Sequence, residues 1–206
     1  EGNSGFYVRG GGPDQNLVLV DDAVVYNASH LFGFFSVFNP DAVKDIEVTK
    51  GTMPARYGGR VSSVLDIGLK EGNARNTTLS GGLGLISSRL TLEGPIKEDT
   101  ISYIISGRRT YLDVLTRPFV NPEGTFAGSG YYFYDLNAKI NWRASRRDQF
   151  YLSGYFGRDV FDFRSQSADF GSRIPWGNST LTARWNHLIS DKAFITTTAT
   201  YSDHEF

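Results

Sequence analysis

Residues 131–143, YYFYDLNAKINWR, alternate strictly between two chemistries. Tyr132, Tyr134, Leu136, Ala138, Ile140 and Trp142 are apolar or aromatic, while Asp135, Asn137, Lys139, Asn141 and Arg143 between them are polar. Successive side chains of a strand point to opposite faces, so the pattern predicts a strand with one greasy and one charged face. Aromatics close the greasy face at both ends, which a half-buried strand of a soluble protein does not require. Eleven residues at roughly 3.3 Å each, tilted by about 45°, rise some 25 Å. That is about the height of the apolar band on a membrane β-barrel, with the aromatics where interfacial girdles sit. The expectation is a lipid-facing strand backed by a wet interior.

The same reading extends from residue 77 onward as a meander, with strands expected near 77–84, 87–94, 100–110, 131–143, 149–160, 177–189 and 193–204. After a tight first hairpin the gaps run short (94–99), long (111–130), short (144–148), long (161–176) and short (190–192). Membrane barrels alternate short turns on one side with long loops on the other. The sixth strand repeats the two faces, with Leu181, Ala183 and Trp185 against Thr180, Thr182, Arg184 and Asn186. The seventh, with Ile195, Thr197, Ala199 and Tyr201, carries the pattern more weakly.

Residues 1–75 read differently. In 16–26 (NLVLVDDAVVY) two apolar runs flank Asp21-Asp22, which predicts a hairpin with turn formers at its tip. Asn39-Pro40-Asp41 predicts a short helix, with Asn as its cap and Pro at its first position. Strands are expected at 46–50 and 61–69, around a Gly- and Arg-containing loop at 51–60.

Composition narrows the classes. A net charge of −1 with scattered basic residues gives no case for nucleic acid, and the absence of cysteine removes disulfides and thiolate metal sites. With 23 glycines and 14% aromatics in 206 residues, a turn-rich β protein is favoured. The mean hydropathy of −0.29 agrees with a barrel, since alternation hides half of each strand from lipid. No 18-residue apolar run exists for a spanning helix. The opening EGNSGFYVRG lacks the regions of a signal peptide.

The plug of TonB-dependent outer-membrane receptors has an Arg-Gly strand end, an LVDG-type hairpin, a unit ending in Ile-Glu-Val-x-Lys-Gly, and then Tyr-Gly before a final strand. Residues 6–70 resemble it in order and spacing: Val8-Arg9-Gly10-Gly11, Leu19-Val20-Asp21-Asp22-Ala23-Val24, Asn39 to Gly51, Ala55 to Arg60 and Val64-Leu65-Asp66-Ile67. Asp22 replaces the usual turn glycine, a departure expected to affect only the hairpin tip. The wording of 29–43 most resembles receptors of the Bacteroidetes, and Leu92-Glu93-Gly94-Pro95-Ile96 resembles the family's first periplasmic turn.

The resemblance implies a mainly β fold. A small α+β plug domain would cover 1–75, and 76–206 would supply about seven antiparallel transmembrane strands of a barrel of about 22. Alone, seven strands would leave two open edges in lipid. The sequence therefore reads as an internal part of a longer receptor, without the N-terminal TonB box. The implied function is active transport of a scarce nutrient (siderophore, vitamin, oligosaccharide or peptide) across the Gram-negative outer membrane. TonB with ExbB and ExbD would gate the plug; lipid, the nutrient and a surface lipoprotein complete the set of implied partners. Two alternatives stand beside it: a ligand-sensing, signal-transducing outer-membrane receptor, and a soluble β-sandwich that binds carbohydrate. A sandwich would bury the apolar face of 131–143.

By the same resemblance, the plug apex comprises 12–16 and 26–32, with Asp14, Gln15, Tyr26, Asn27 and His30 as ligand-binding candidates beside Phe32. Leu31, Phe32, Phe34, Phe35 and Phe38 equally suit plug packing. Arg9, Arg56 and Arg60 of the plug are expected to meet polar barrel positions, with Asp135, Lys139, Arg143 and Arg184 pointing into the lumen. The two long loops carry Phe119, Phe126, Phe161, Phe163, Phe170 and Trp176 beside Arg117, Arg164 and Arg173. Loops on a rigid scaffold commonly bind ligands; for Trp176 a girdle position at the membrane surface is preferred. Gly10-Gly11-Gly12 lacks the rest of a phosphate-binding motif and reads as a turn. His30, His187 and His204 lack metal-ligand spacing, and no nucleophile elbow or triad is marked. The sequons at Asn27, Asn76 and Asn178 match chance. No catalytic residue, metal or cofactor is expected.

Overall fold

Asp21 and Asp22 both have positive φ (45° and 73°). This is the primed-turn geometry whose twist suits a two-residue hairpin, and it joins β1 (Asn16–Val20) to β2 (Ala23–Val24). The computed structural model describes residues 7–30, 33, 35–119, 129–165 and 170–206. β3 (Ser29–His30) and β4 (Phe35–Ser36) form a small second hairpin. β5 (Val43–Lys50) and β6 (Ser63–Leu69) complete a four-stranded sheet ordered β2-β1-β6-β5, in which β1 and β6 run parallel. Val18, Val20, Val25, Val37, Ala42, Ile67 and Leu69 make its core, which Tyr155 closes from outside the sheet.

The helix expected at Asn39 is a single turn instead. Asn39 Oδ1 accepts from the Asp41 N–H at 3.1 Å, and its carbonyl accepts from Ala42 and Val43. β5 then starts at once, three residues ahead of the expected strand, because Val43, Ile46 and Val48 are β-branched and pair along β6.

The rest is one seven-stranded antiparallel meander, β7 (Thr78–Leu83), β8 (Ser87–Lys97), β9 (Ile101–Thr110), β10 (Gly130–Arg143), β11 (Asp148–Ser165), β12 (Phe170–Ser190) and β13 (Ala193–Glu205), each paired with the next. Seven strands stand where the alternation places them, but two connections differ. β8 continues past Gly94-Pro95 to Lys97 through a bulge, so the turn falls at residues 98–100. The expected loop 161–176 is mostly strand, since β11 and β12 stay in register from Asp159↔Trp176 to Ser165↔Phe170. The loop after β9 holds α1 (Leu112–Leu115) and a 3-10 turn at Arg117–Phe119. Leu31, Phe32, Phe34 and Phe126 lie outside the described residues, as do the side chains of Arg117 and Phe170.

The crossing from the small sheet to the meander is pinned. Ser102 Oγ donates to the Glu71 carbonyl at 2.8 Å, and Asn141 Nδ2 to the Glu71 carboxylate at 3.2 Å. Gly72 has φ 78°, and a side chain there would collide with the Tyr103 carbonyl. Only glycine satisfies both demands.

Candidate functional site

β10 is packed inside out. Asp135, Asn137, Lys139 and Asn141 are 3–6% exposed, whereas Leu136, Ile140 and Trp142 are 41–47% exposed. The apolar face lies open and the polar face is covered by the small sheet, the reverse of a soluble sandwich. Outward aromatics gather in two tiers, Tyr132, Tyr134 and Phe156 towards one end and Trp142, Phe150 and Trp185 towards the other. Such tiers frame the apolar band of a membrane barrel.

The inner faces meet through polar pairs. The Lys139 ammonium lies 3.1 Å from the Asp21 carboxylate and 2.9 Å from the Leu69 carbonyl, both buried. Arg184 reaches Asp22 at 2.5 Å, so the residue that departs from the family's turn glycine does more than shape a tip: it ties the hairpin to β12. Asn39 donates to Ser106 at 2.8 Å, and Arg89 meets Asp41 at 2.9 Å. Arg9, Arg56 and Arg60 are exposed; Arg56 contacts Tyr57 and Arg60 contacts the Gly59 carbonyl. Arg143 is also exposed, beside a recess at the short-turn end that includes Arg146 and Arg147.

At the opposite end, a cavity of about 220 Å³ opens between the start of β1 and the segment after β2. Asp14, Tyr26, Asn27, Ser29 and Arg60 line it above an apolar floor of Leu17, Val18, Val24 and Val25. With Asn16 it thus combines one acid, one base, two amides and a half-exposed aromatic ring. Gln15 is exposed next to it. A single barrel side chain clamps the rim beside the cavity: Asn178 Oδ1 accepts from the N–H groups of Tyr26 (3.2 Å) and Asn27 (3.3 Å), while its Nδ2 donates to the Asn27 carbonyl (2.8 Å). Asn178 appeared in the sequence only as a sequon, although its parity with Thr180 and Thr182 puts it on the inner face.

His30 lies behind the cavity rather than in it. It is 1% exposed, stacked on Phe133 with ring centroids 4.0 Å apart. Its Nδ1 is 2.6 Å from Asp159 Oδ2, and its Nε2 is 3.6 Å from Asp135 Oδ2, an electrostatic contact too long for a hydrogen bond. Arg108 grips Asp135 through Nε (2.8 Å) and Nη2 (2.7 Å) and donates to the Ser36 carbonyl (2.7 Å). Tyr131 donates its hydroxyl to Asp159. Burial opposes the charged ring, but the contacts and charges of Asp135 and Asp159 together outweigh it, and the His30 pKa is raised. Gly157 makes the space: a side chain there would strike the Tyr155 hydroxyl and press on the His30 ring.

Trp176 is not a girdle residue. It shares parity with Asn178, is 7% exposed, and packs inward with Tyr131 and Phe133. Counting by twos from Thr180 would have shown this.

Residues 1–64 match the family model of the TonB-dependent receptor plug domain. The fold is that of a TonB-dependent outer-membrane receptor. Among similar solved receptors, an enterobactin-bound mutant of the ferric enterobactin receptor PfeA from Pseudomonas aeruginosa aligns over 94% of this chain with a TM-score of 0.62 and 19% identity. The siderophore receptor PirA from Acinetobacter baumannii aligns over 93% with a TM-score of 0.63 and 18% identity. The outer-membrane transporter YddB from Escherichia coli aligns over 94% with a TM-score of 0.63 and 16% identity. The chain spans 34%, 32% and 32% of those receptors, about a third of their length. No curated protein matches it by sequence. The small sheet thus lies largely in the part that matches the plug model, and the meander has the fold of the barrel wall in those receptors.

Proposed function

We propose that this chain, as plug (1–75) and opening barrel strands (76–206) of a longer receptor, takes part in TonB-dependent uptake of a scarce nutrient of the siderophore type. The inside-out wall carries the reading: a charged inner face clasping a separate small domain suits a gated pore, because each polar pair can be exchanged for water one at a time. Asp135, Lys139 and Arg184 would hold the plug, and Arg9, Arg56, Arg60 and Arg143 would meet further barrel strands. Asp14, Gln15, Tyr26 and Asn27 would receive the ligand at the apex, with His30 behind them. TonB would supply the pull that displaces the plug.

The test uses the full-length receptor and ferric enterobactin, the ligand type named for one solved neighbour. Saturable binding is expected, weakened about tenfold or more by Tyr26→Ala, as for a central aromatic contact. Full-length receptor that binds no ferric siderophore would exclude the siderophore reading.

A further inference from the structure

Among the described residues, the apex rim, residues 26–30, is held to the barrel by two polar fastenings of different chemistry. Asn178 supplies a neutral amide clamp at Tyr26 and Asn27. Three residues beyond Asn27, His30 supplies an ionic pin. The charges around that pin come from three barrel strands: Arg108 on β9, Asp135 on β10 and Asp159 on β11, with the phenols of Tyr131 and Tyr155 beside them. The side chains of His30, Asp135 and Asp159 are 0–2% exposed, and that of Arg108 is 11% exposed. Both ring nitrogens of His30 thus face a carboxylate, Nδ1 towards Asp159 and Nε2 towards Asp135. An imidazolium presents an N–H and positive charge to each, whereas a neutral ring can do so to one, so the geometry itself favours the proton.

We propose that His30 is a positioning residue for the apex pocket: as an imidazolium between Asp135 and Asp159 it pins the rim to the barrel wall, and losing its proton frees the rim. The pocket's role in ligand capture rests on the function proposed above; the pinning does not. A group whose folded pKa is raised contributes its full anchorage below its unfolded value, about 6.5, and loses it as pH climbs through the raised folded value. The rim is therefore tight in mildly acidic surroundings and slackens in alkaline ones, where the Asn178 clamp and the ring contacts of Tyr26 with His204 and of His30 with Phe133 remain.

The experiment places a nitroxide on Ala28→Cys in the full-length receptor, any other cysteine replaced, and follows its line shape in detergent from pH ~5.5 to ~9.5, a span that brackets histidine titration. The label should be immobile at low pH and gain a mobile component in one step above pH ~6.5. His30→Gln should abolish the step, Asp159→Asn should move it to lower pH, and His30→Lys, which keeps its charge longer, should move it to higher pH. A wild-type line shape that ignores pH, or a step that survives His30→Gln, overturns the proposal. The readout needs no ligand. If the step is present while Tyr26→Ala leaves ferric enterobactin binding intact, the pocket reading fails and the pin stands.

Discussion

Asp21 shows how much can rest on one side chain. It sits at a left-handed turn position, accepts the Leu69 N–H at 3.2 Å, and is the carboxylate beside buried Lys139. Asn tolerates the same backbone and can accept the same N–H, so Asp21→Asn isolates the charge. It leaves an ammonium buried without its counter-ion, expected to cost about 3–5 kcal/mol. Denaturant unfolding of the full-length receptor would register this as a lowered plug midpoint; a shift within about 0.5 kcal/mol, typical of an uninvolved surface site, would mean that water already screens Lys139. Asp22, one residue on, is a milder case. Its bond to Arg184 is part-exposed, and such pairs contribute about 0–1 kcal/mol.

At the scale of elements, β10 is where the sequence speaks most plainly. Its period of two separates the exposed apolar face from the covered polar face without any knowledge of the plug. Ala138, at mid-height on the lipid face, gives the corresponding prediction. Ala138→Arg should cost about 2–4 kcal/mol of barrel stability, as charged side chains do at the bilayer midplane. Refolding of the full-length receptor into vesicles would measure it, and wild-type behaviour would refute the lipid-facing assignment. What the sequence concealed has physical causes. The strand ends of β11 and β12 looked like loop because Gly171, Ser172 and Pro175 break the apolar rhythm, yet cross-strand pairing carries the ladder through them. Asn39-Pro40-Asp41 carried a helix signal that the neighbouring β-branched residues overrode. The role of Asn178 was illegible because its partners are backbone groups some 150 positions away, and no side-chain pattern marks those.

Taken whole, the molecule has two kinds of interior. The plug sheet has its own apolar core, to which the barrel contributes Tyr155. The boundary between plug and wall is largely polar, with aromatic contact concentrated near the apex, where Phe35 and His30 meet Phe133. The parallel pairing of β1 with β6 gives this arrangement a mechanical consequence. The chain enters the sheet at Asn16, the leading end of β1, and leaves it at Leu69, the trailing end of β6, before Gly72 locks against β9. In a parallel pair those two points lie at opposite ends. A pull applied ahead of Asn16 and resisted at Gly72 therefore loads the ladder from Asn16↔Ser63 to Val20↔Ile67 in shear, so its bonds share the load instead of opening one by one. Force spectroscopy on the full-length receptor, pulled from the N-terminal side, should show one pronounced rupture before the plug extends; a long, low plateau would instead mean that the sheet peels.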